Sequence, residues 1–259
     1  MSRRNEMPRL ILVDAGNTRC KMAVAKGTTI RRIGRIPTGQ ASPREIRDCL
    51  ATTAGREPFD GAVLCSVAPS VTARWMQALK TVSRTRPICV TCELDFDMPI
   101  RYPKPETIGP DRLVNAAAAK ARFGAPVVAL DFGSALTCDV VDADGAFRGG
   151  IIAPGLGLFL EYLHDRTELL PAVPFRPIRR MVGRSTAESM RIGAWAGYRG
   201  LVRDVIARLK RELGRGTRFC ATGGDAVRLK AILGPSCPIV PDLTFEGMRL
   251  VYFQNRPGG

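Results

Sequence analysis

A chain of 259 residues with 45% hydrophobic side chains is long enough for one large core or two lobes of about 100–150 residues each. No stretch approaches the roughly 18 apolar residues of a membrane span, and Ser2–Asn5 precedes no long apolar run, so we expect a cytoplasmic protein without a membrane partner. The net charge of +15 would suit nucleic acid or an anionic substrate, but the arginines are spread out and form no nucleic-acid-binding signature. We therefore expect a solvated basic surface and no specific nucleic acid partner.

The cysteine and histidine content limits the chemistry that the chain can carry. Most of the eight cysteines lie in apolar runs, as is typical of reduced core residues in a cytosolic protein. Cys89 and Cys92 have the spacing of a metal or redox pair, but no second pair follows them. The single histidine, His164, argues against a Ser-His-Asp or Cys-His mechanism, and we expect it at a helix end.

The first polar turn follows the apolar strand-like run Leu10–Val13. It contains Asp14-Ala-Gly-Asn-Thr18, in which Gly-Asn is a strong turn signal, and it is followed by Lys21. The turn offers backbone N–H groups, a hydroxyl, an ammonium group and a carboxylate for a metal, which together suit a nucleotide phosphate. Taken alone, the motif is equally typical of a simple hairpin turn.

Strands and helices then alternate through the first half of the chain. Ser42-Pro43 predicts a helix start, because serine caps helices and proline suits the first helical position. The predicted elements are strands near 21–26 and 29–36, the helix from Pro43, a strand at 61–66, a helix from 69 to about 80 and a strand at 87–90. The order β-β-β-α-β-α-β is typical of an α/β protein.

A proline-rich connector over residues 97–110 leads to Gly109-Pro-Asp-Arg112, at the start of an alanine-rich helix that should end near Phe123. A carboxylate in the first turn suits the helix dipole, and that alone would account for Asp111. As functional residues, Asp111 would accept a proton from a substrate hydroxyl and Arg112 would bind an anionic group. Phosphoryl transfer depends more on positioning and charge neutralisation than on a strong base, so an aspartate can serve.

A second copy of the first turn changes how the first is interpreted. An apolar strand over 127–130 ends at Asp131 and is followed by Gly133, Ser134 and Thr137. Positions 14 and 131 are 117 residues apart, and strand-like sequence follows each turn. This spacing indicates an internal repeat of a half-domain. Two similar halves with such turns predict a nucleotide held in the cleft between them.

The boundary between the two lobes is predicted near residue 125, which gives lobes 1–124 and 125–259. Ser185-Thr-Ala-Glu188 has capping-box spacing and predicts a long helix to about Glu212, with a break near Gly197–Gly200. The other predicted elements of the second half are strands near 138–142 and 147–153, a helix near 157–164, a loop over 171–184, a strand at 219–222, a helix at 225–233, a strand near 238–240 and a last helix after Asp242.

The ordered set of motifs resembles the type III pantothenate kinases, of the acetate and sugar kinase/Hsp70/actin superfamily, over essentially the whole chain. Three positions depart from the family's usual pattern: Pro110 replaces an alanine, and Ser134 and Leu136 replace threonines. The matching segments are Asp14-x-Gly-Asn-Thr-x-x-Lys21, Gly109-x-Asp-Arg112, Asp131-Phe-Gly-Ser-Ala-x-Thr137, Gly149-Gly-Ile-Ile-x-Pro-Gly155, Ser185-Thr186, Thr222-Gly-Gly224 and Leu243–Tyr252.

The resemblance implies an α/β fold of two ribonuclease H-like lobes, a homodimer with the active site near the subunit interface, and ATP-dependent phosphorylation of pantothenate, the first step of coenzyme A synthesis. It implies Mg²⁺ with ATP and a monovalent cation, K⁺ or NH₄⁺. Asp111 would be the proton acceptor, Asp131 would bind the monovalent cation, and Ser134 would face ATP. The residues implied to hold the ATP phosphates and Mg²⁺ are Asp14, Ala15, Gly16, Asn17, Thr18, Arg19, Cys20 and Lys21. Those implied to bind pantothenate are Tyr102, Gly109, Pro110, Asp111, Arg112 and Thr186.

Two other interpretations stay open. One is a catalytically silent relative that acts as a transcription accessory or nucleic-acid-binding factor, which the basic charge would suit. The presence of Asp14, Lys21, Asp111, Arg112 and Asp131 favours the enzyme over this alternative. The other is a kinase of the same superfamily with a different acceptor, since the residues by themselves do not fix the acceptor.

Overall fold

The computed structural model of the protein describes residues 7–40, 42–54 and 58–256; the segment Ser2–Asn5 lies outside them. The chain forms two compact units. The first is built from the chain up to Arg122 and again from Asp242 onward, and the second from Phe123–Pro241. The second unit is therefore an uninterrupted stretch of chain inserted between two parts of the first.

The strands and helices follow one another largely as the sequence predicts. The strands are β1 (Arg9–Ala15), β2 (Arg19–Lys26), β3 (Thr29–Pro37), β4 (Gly61–Ser66), β5 (Ile88–Cys89), β6 (Val127–Phe132), β7 (Ala135–Val141), β8 (Phe147–Pro154) and β9 (Arg218–Thr222). The helices are α1 (Pro43–Ala54), α2 (Pro69–Val82), α3 (Pro110–Phe123), α4 (Leu156–Asp165), α5 (Thr186–Leu213), α6 (Lys230–Leu233) and α7 (Leu243–Asn255).

The first unit contains a five-stranded sheet in the order β3-β2-β1-β4-β5. Strands β1 to β3 form an antiparallel meander, whereas β4 and β5 add in parallel on the other side of β1. The central strand β1 has Leu10–Val13 buried throughout, which explains its unbroken apolar run. This arrangement brings the carboxyl ends of β1 and β4 to one edge of the sheet.

The second unit repeats this topology. Its sheet has the order β8-β7-β6-β9, with β6 to β8 antiparallel and β9 parallel to β6. A parallel bridge between Ala221 and Ile239 stands where the first unit has β5. The strand predicted near 238–240 is thus reduced to a single bridge. The matching strand orders agree with the half-domain repeat inferred from Asp14 and Asp131.

The last helix, α7, belongs to the first unit, whereas the sequence assigned residues 242–259 to the second lobe. It packs on β1 and β4, and two glycines permit the close approach. A Cβ at Gly61 would overlap the ring of Tyr252, and a Cβ at Gly247 would overlap the backbone of Val114 in α3. This packing is long-range, so local sequence patterns do not reveal it.

Helix α5 runs for 28 residues without the predicted break. A glycine inside a helix costs only about 1 kcal/mol relative to alanine, and buried side chains on one face offset that cost. Ala194, Tyr198 and Val202 form part of this buried face. The helix predicted at 225–233 is also different, because a 3₁₀ turn at Ala226–Leu229 precedes the four-residue α6.

His164, Cys89 and Cys92 were considered above for catalysis, metal binding or redox chemistry. His164 lies in the last turn of α4, where Nδ1 is 2.9 Å from the carbonyl oxygen of Leu170. Cys89 and Cys92 are free thiols. Within the described ranges, no helix combines the length and apolar content needed to cross a membrane.

Candidate active site

The carboxylate of Asp14 lies at the carboxyl end of β1 and is mostly buried, with 8% of the residue exposed. Its Oδ2 accepts a hydrogen bond from Lys21 Nζ at 3.0 Å. The two residues are opposite each other in the antiparallel pairing of β1 and β2, so the hairpin register fixes the ion pair. The side chain of Lys21 remains 55% exposed, which leaves its ammonium group accessible to an anion.

The turn between β1 and β2 presents polar groups to solvent. Gly16 N–H donates to the carbonyl oxygen of Arg19 at 3.1 Å and closes the turn, while Asn17 and Thr18 are exposed. A Cβ at Gly16 would lie only 3.1 Å from that same oxygen, so glycine suits the position. The predicted phosphate-binding segment is therefore a tight hairpin turn next to the Asp14–Lys21 pair.

Thr38 stabilises this turn through two hydrogen bonds, and sequence reasoning did not identify this residue. The residue is buried, and its Oγ1 donates a hydrogen bond of 2.6 Å to the carbonyl oxygen of Gly16. Its backbone N–H donates to the carbonyl oxygen of Thr18 at 3.0 Å. Thr38 lies 20 residues beyond the turn, after β3, so no local motif identifies it.

Asp111 stands in the first turn of α3, and Gly109 makes room for it. A Cβ at Gly109 would lie 2.6 Å from Asp111 Oδ1. The same oxygen accepts a hydrogen bond from the N–H of Arg112 at 2.9 Å. The side chain is thus fixed at the helix start by its immediate neighbours.

The carboxylate of Asp14 influences that of Asp111. Burial raises the pKa of Asp111 above its ordinary value, and the negative charge of Asp14 raises it further, while the N–H and charge of Arg112 act in the opposite direction. Burial also raises the pKa of Cys65, at the end of β4, and both carboxylates add to that shift. A carboxylate with a raised pKa is a stronger proton acceptor, which suits general base catalysis.

The remaining residues predicted to bind substrate in the first unit surround Asp111 in the chain. Pro110 is the first residue of α3, as its fixed φ favours. Arg112 is buried, with 7% exposed, and Tyr102 is half-buried in the connector that precedes the helix. The role of Arg112 and Tyr102 in binding an anionic substrate stays a prediction.

The second unit has the equivalent turn between β6 and β7. Gly133 N–H donates to the carbonyl oxygen of Ala135 at 3.0 Å, and Ser134 is exposed. A Cβ at Gly155 would overlap the backbone carbonyls of Gly133 and Ser134, so only glycine lets the start of α4 lie against this turn. Leu136, which replaces a threonine of the family pattern, is buried in the core.

Asp131 lies beside the turn after β9. Gly223 has a φ of 91°, and a Cβ there would overlap both Asp131 Oδ1 and the carbonyl oxygen of Phe132. The glycine therefore lets the carboxylate of Asp131 and the carbonyl group of Phe132 lie close against the turn after β9, and hard cations prefer oxygen ligands. Within the described ranges, no three His, Cys, Asp or Glu side chains are grouped to hold a metal, so any cation here would rely on Asp131 with carbonyl or hydroxyl oxygens.

Thr186 is the first residue of α5 and is exposed. Ser185 caps the helix, because its Oγ accepts a hydrogen bond from the N–H of Glu188 at 3.2 Å. The carboxylate of Glu188 accepts from the N–H of Arg184 at 2.8 Å. The predicted helix start is therefore correct. In a standard capping box Glu188 would accept from the N–H of Ser185, whereas here it accepts from the N–H of the preceding residue, Arg184.

The predicted site residues are thus divided between the two units. In the first unit, Asp14 is bonded to Lys21 at the carboxyl end of β1 and lies close enough to Asp111 to raise the pKa of that carboxyl group. The second unit carries Asp131 beside Gly223. It also carries the exposed hydroxyls of Ser134 and Thr186.

The repeated strand order and the paired Asp-Gly turns define the fold of the actin-like ATPases and sugar kinases, built from two ribonuclease H-like units. A ROK family glucokinase from Streptomyces griseus, solved with glucose and AMPPNP, matches with a TM-score of 0.50 and 12% identity, over 93% of this chain and 97% of that one. The sequence model of the type III pantothenate kinase family matches residues 10–208, and the chain belongs to this family. The fold and the family that the motifs predicted are both confirmed.

Relatives named as type III pantothenate kinases extend over nearly the whole chain. The protein of Methylacidiphilum infernorum is 40% identical over 245 residues, covering 93% of this chain and 87% of the relative. That of Akkermansia muciniphila is 37% identical over 241 residues, covering 93% and 96%. A Campylobacter jejuni structure named for the Baf family of transcriptional activators has a TM-score of 0.55 over 95% and 98% of the two chains; at 16% identity it shows the fold alone and lends no support to a role in transcription.

Proposed function

We propose that this protein transfers the γ-phosphoryl group of ATP to pantothenate, giving 4′-phosphopantothenate and ADP, the first step of coenzyme A biosynthesis. The observation that carries this proposal is that Asp14 is bonded to Lys21 and lies close enough to Asp111 to raise its pKa, in a chain that belongs to the type III pantothenate kinase family. The cytoplasm, where ATP and pantothenate meet, is the proposed location.

Asp111 acts on the acceptor hydroxyl. As the new O–P bond forms between that hydroxyl oxygen and the γ-phosphorus, the bond from the γ-phosphorus to the bridging oxygen breaks and ADP leaves with that electron pair. The hydroxyl proton passes to Asp111, whose raised pKa favours its acceptance. Because such transition states are loose, the base has to position the hydroxyl more than to activate it.

The turn after β1 serves the phosphates. Its backbone N–H groups and the ammonium group of Lys21 would neutralise the phosphate charge, and Asp14 would hold the Mg²⁺ that accompanies ATP. When bound, that ion neutralises charge developing on the phosphate oxygens. Ser134 would also contact ATP.

Asp131 would bind a monovalent cation, K⁺ or NH₄⁺. The oxygens beside Gly223 support this assignment, because an alanine there would displace them. The test compares rates in potassium and in sodium, with ammonium excluded, for the native protein and for Gly223→Ala. Strong potassium activation that the substitution abolishes supports the site, whereas equal rates in both salts for the native protein would contradict it.

A homodimer is supported by an apolar groove between α4 and α5 in the second unit. The groove has a volume of about 660 Å³ and is lined by Phe159 and Met190, with the exposed side chains of Leu158 and Tyr162 at its side. Exposed apolar area of this kind marks contact surfaces. Sedimentation of the native protein should give a dimer, and Tyr162→Glu should shift it toward monomer; a monomeric native protein would contradict the proposal.

The reaction itself is tested by coupled ADP release from purified protein with ATP, Mg²⁺ and potassium, with and without pantothenate. We expect ADP release that depends on pantothenate and is lost in Asp111→Asn. Release with another acceptor only would reassign the substrate within the same class of kinase. The absence of release with any acceptor, from folded protein and with ammonium also supplied, would refute the proposal.

A further inference from the structure

A second pocket in the second unit lies apart from every residue assigned above. It has a volume of about 290 Å³ and lies between α5 and the loop over residues 171–184. Trp195 and Ile192 form part of its wall, and four arginines line it: Arg179, Arg180, Arg199 and Arg203. The residues lining it include no carboxylate. Its lining is therefore strongly cationic.

Helix geometry and its small residues shape this pocket. Trp195, Arg199 and Arg203 are spaced four residues apart on α5 and so share one face of the helix. Gly200, beside them, has nothing within 4 Å of the position that a Cβ would occupy. The guanidinium carbon of Arg199 lies 5.7 Å from the centroid of the Trp195 ring. The side chains of Arg199 and Trp195 thus line the pocket next to each other.

The four arginines of this pocket have few carboxylate partners. Arg180 Nη1 is 4.0 Å from Glu188 Oε2, at the outer limit of an ion pair. Arg179, Arg199 and Arg203 form no ion pair with a carboxylate anywhere in residues 7–40, 42–54 and 58–256. Nε of Arg199 is also buried without a hydrogen-bond partner, and a buried donor in that state costs free energy. A bound anion would supply a counter-charge to the guanidinium groups that line the pocket.

The loop that completes the pocket is held in place. Arg191 Nε donates to the carbonyl oxygen of Pro174 at 2.9 Å, and the rings of Phe175 and Trp195 pack with centroids 5.4 Å apart. At the other end of the loop, a Cβ at Gly183 would lie 2.5 Å from Ser189 Oγ, so the chain there lies tightly against α5. The pocket is preformed, which lowers the cost of binding.

We propose that this pocket is an anion site for a diphosphate group, either free pyrophosphate or the diphosphate end of a small metabolite. Guanidinium groups bind phosphates through paired N–H donors, and several converging arginines favour a polyanion over a single carboxylate. The volume of about 290 Å³ accommodates the diphosphate but not a whole nucleotide, whose base would extend to the Trp195 side or to solvent. The proposal is independent of the function assigned to Asp14 and Asp111.

The two tryptophans of the chain give a direct test. Trp195 lines the pocket, whereas Trp75 is fully buried in the first unit. Pyrophosphate is titrated into the full-length protein in phosphate-free buffer with about 0.15 M KCl, where the charges of an open surface are largely screened. We expect a saturable change in emission that Trp195→Phe abolishes, with a stoichiometry of one per chain by calorimetry.

Substitutions locate the site. Arg199→Gln and Arg203→Gln should each weaken pyrophosphate binding at least about tenfold. Arg211→Gln, at an exposed arginine of the same helix outside the pocket, should leave it unchanged, as should Lys21→Gln in the proposed ATP site. Far-ultraviolet circular dichroism confirms that each variant is folded.

The outcomes separate the ligand sources and the competing explanations. A saturable change in Trp195 emission with both pyrophosphate and ADP, weakened in Arg199→Gln, supports recognition of a diphosphate end. Such a change with pyrophosphate alone supports the free anion. A change that does not saturate, a midpoint unaltered by Arg199→Gln, or binding lost in Lys21→Gln would overturn the proposal. Single-stranded polynucleotide that binds more tightly than pyrophosphate through the same arginines would also overturn it, in favour of a nucleic acid surface.

Discussion

Lys21 Nζ lies 3.0 Å from Asp14 Oδ2, across the hairpin that β1 and β2 form. The carboxylate is mostly buried and the lysine half exposed, so the pair combines a fixed position for Asp14 with an accessible cation. We expect Lys21→Met to lower kcat/KM for ATP about 10²–10³-fold, as removal of a charge that stabilises the transition state does. Because Lys21→Met leaves the mostly buried carboxylate of Asp14 without this partner, we also expect a loss of about 1–3 kcal/mol in the free energy of unfolding. Initial-rate kinetics and thermal unfolding measure the two effects.

Lys26→Met, at the far exposed end of the same strand, is the control for Lys21→Met. It should leave kcat/KM for ATP at the native value. Equal losses in the two variants would show that strand β2 was disturbed, and an unchanged KM and kcat in Lys21→Met would remove the lysine from the site.

Asp111→Asn should lower the activity of the protein and raise its stability at neutral pH. Loss of the base should lower kcat about 10²–10⁴-fold, with smaller effects on KM. Because burial and Asp14 raise the pKa of Asp111 in the folded state, the folded protein binds the proton more tightly than the unfolded chain. Its ionised carboxylate therefore costs stability once the pH exceeds that raised pKa, and the cost vanishes below the ordinary carboxyl range. The variant should be more thermostable than the native protein at neutral pH.

Thermal unfolding from pH 7 downward tests this linkage. The advantage of Asp111→Asn should shrink as the pH falls through the raised pKa of Asp111, because the native carboxyl group then becomes protonated. Asp48→Asn, at an exposed aspartate of α1, should show no such trend. A variant that is less stable than the native protein at pH 7 would contradict the unfavourable burial of this carboxylate.

Thr38→Val should disturb the turn after β1, which we propose binds the phosphates of ATP, although Thr38 itself is not among the proposed ATP contacts. The hydroxyl that bonds the Gly16 carbonyl oxygen at 2.6 Å is lost, while the side-chain volume is kept. We expect a loss of about 1–2 kcal/mol in the free energy of unfolding, since the carbonyl loses its partner. The KM for ATP should rise several-fold, and Thr38→Ser should restore it. A serine variant as impaired as the valine variant would attribute the effect to packing.

Gly247→Ala should destabilise the first unit, because a Cβ there overlaps the Val114 backbone. Overpacking of this kind costs about 1–3 kcal/mol. Gly200→Ala is the control: it also lies inside a helix, but in α5 of the second unit and with nothing within 4 Å of its Cβ position, so the unfolding midpoint of the first unit should not fall. Denaturant unfolding followed by Trp75 fluorescence in a Trp195→Phe background reports on the first unit. Equal midpoints for the two variants would contradict the close contact between α7 and α3.

Local patterns were enough to predict most strands, hairpins and helix starts. Ser42 and Ser185 each precede a helix and bond its first turn, and the Asp-Gly turns end strands β1 and β6. These features depend on neighbours within a few residues, so the sequence displays them directly. The positions of the candidate site residues were predictable to the same extent, because Asp14, Lys21 and Asp131 flank those turns and Asp111 lies in the first turn of a helix.

The features that sequence reasoning missed depend on residues far apart in the chain. The break expected near Gly197–Gly200 is absent, because burial on one face of α5 outweighs the helix cost of glycine. Thr38 reaches back to a turn 20 residues earlier. The placement of α7 rests on Gly61 and Gly247, whose importance appears only when their contacts with Tyr252 and Val114 are known.

The return of the chain to its first unit sets the order in which a nascent molecule can finish folding. About 120 residues of the second unit are synthesised between Arg122 and Asp242, which takes about 6–24 seconds at about 5–20 residues per second. During that interval the sheet surface of β1 and β4 lacks its covering helix. The second unit, being continuous, has all of its own core before α7 leaves the ribosome. The half that carries Asp14 and Asp111 is thus begun first and completed last, and its exposed strands are where a chaperone would be needed.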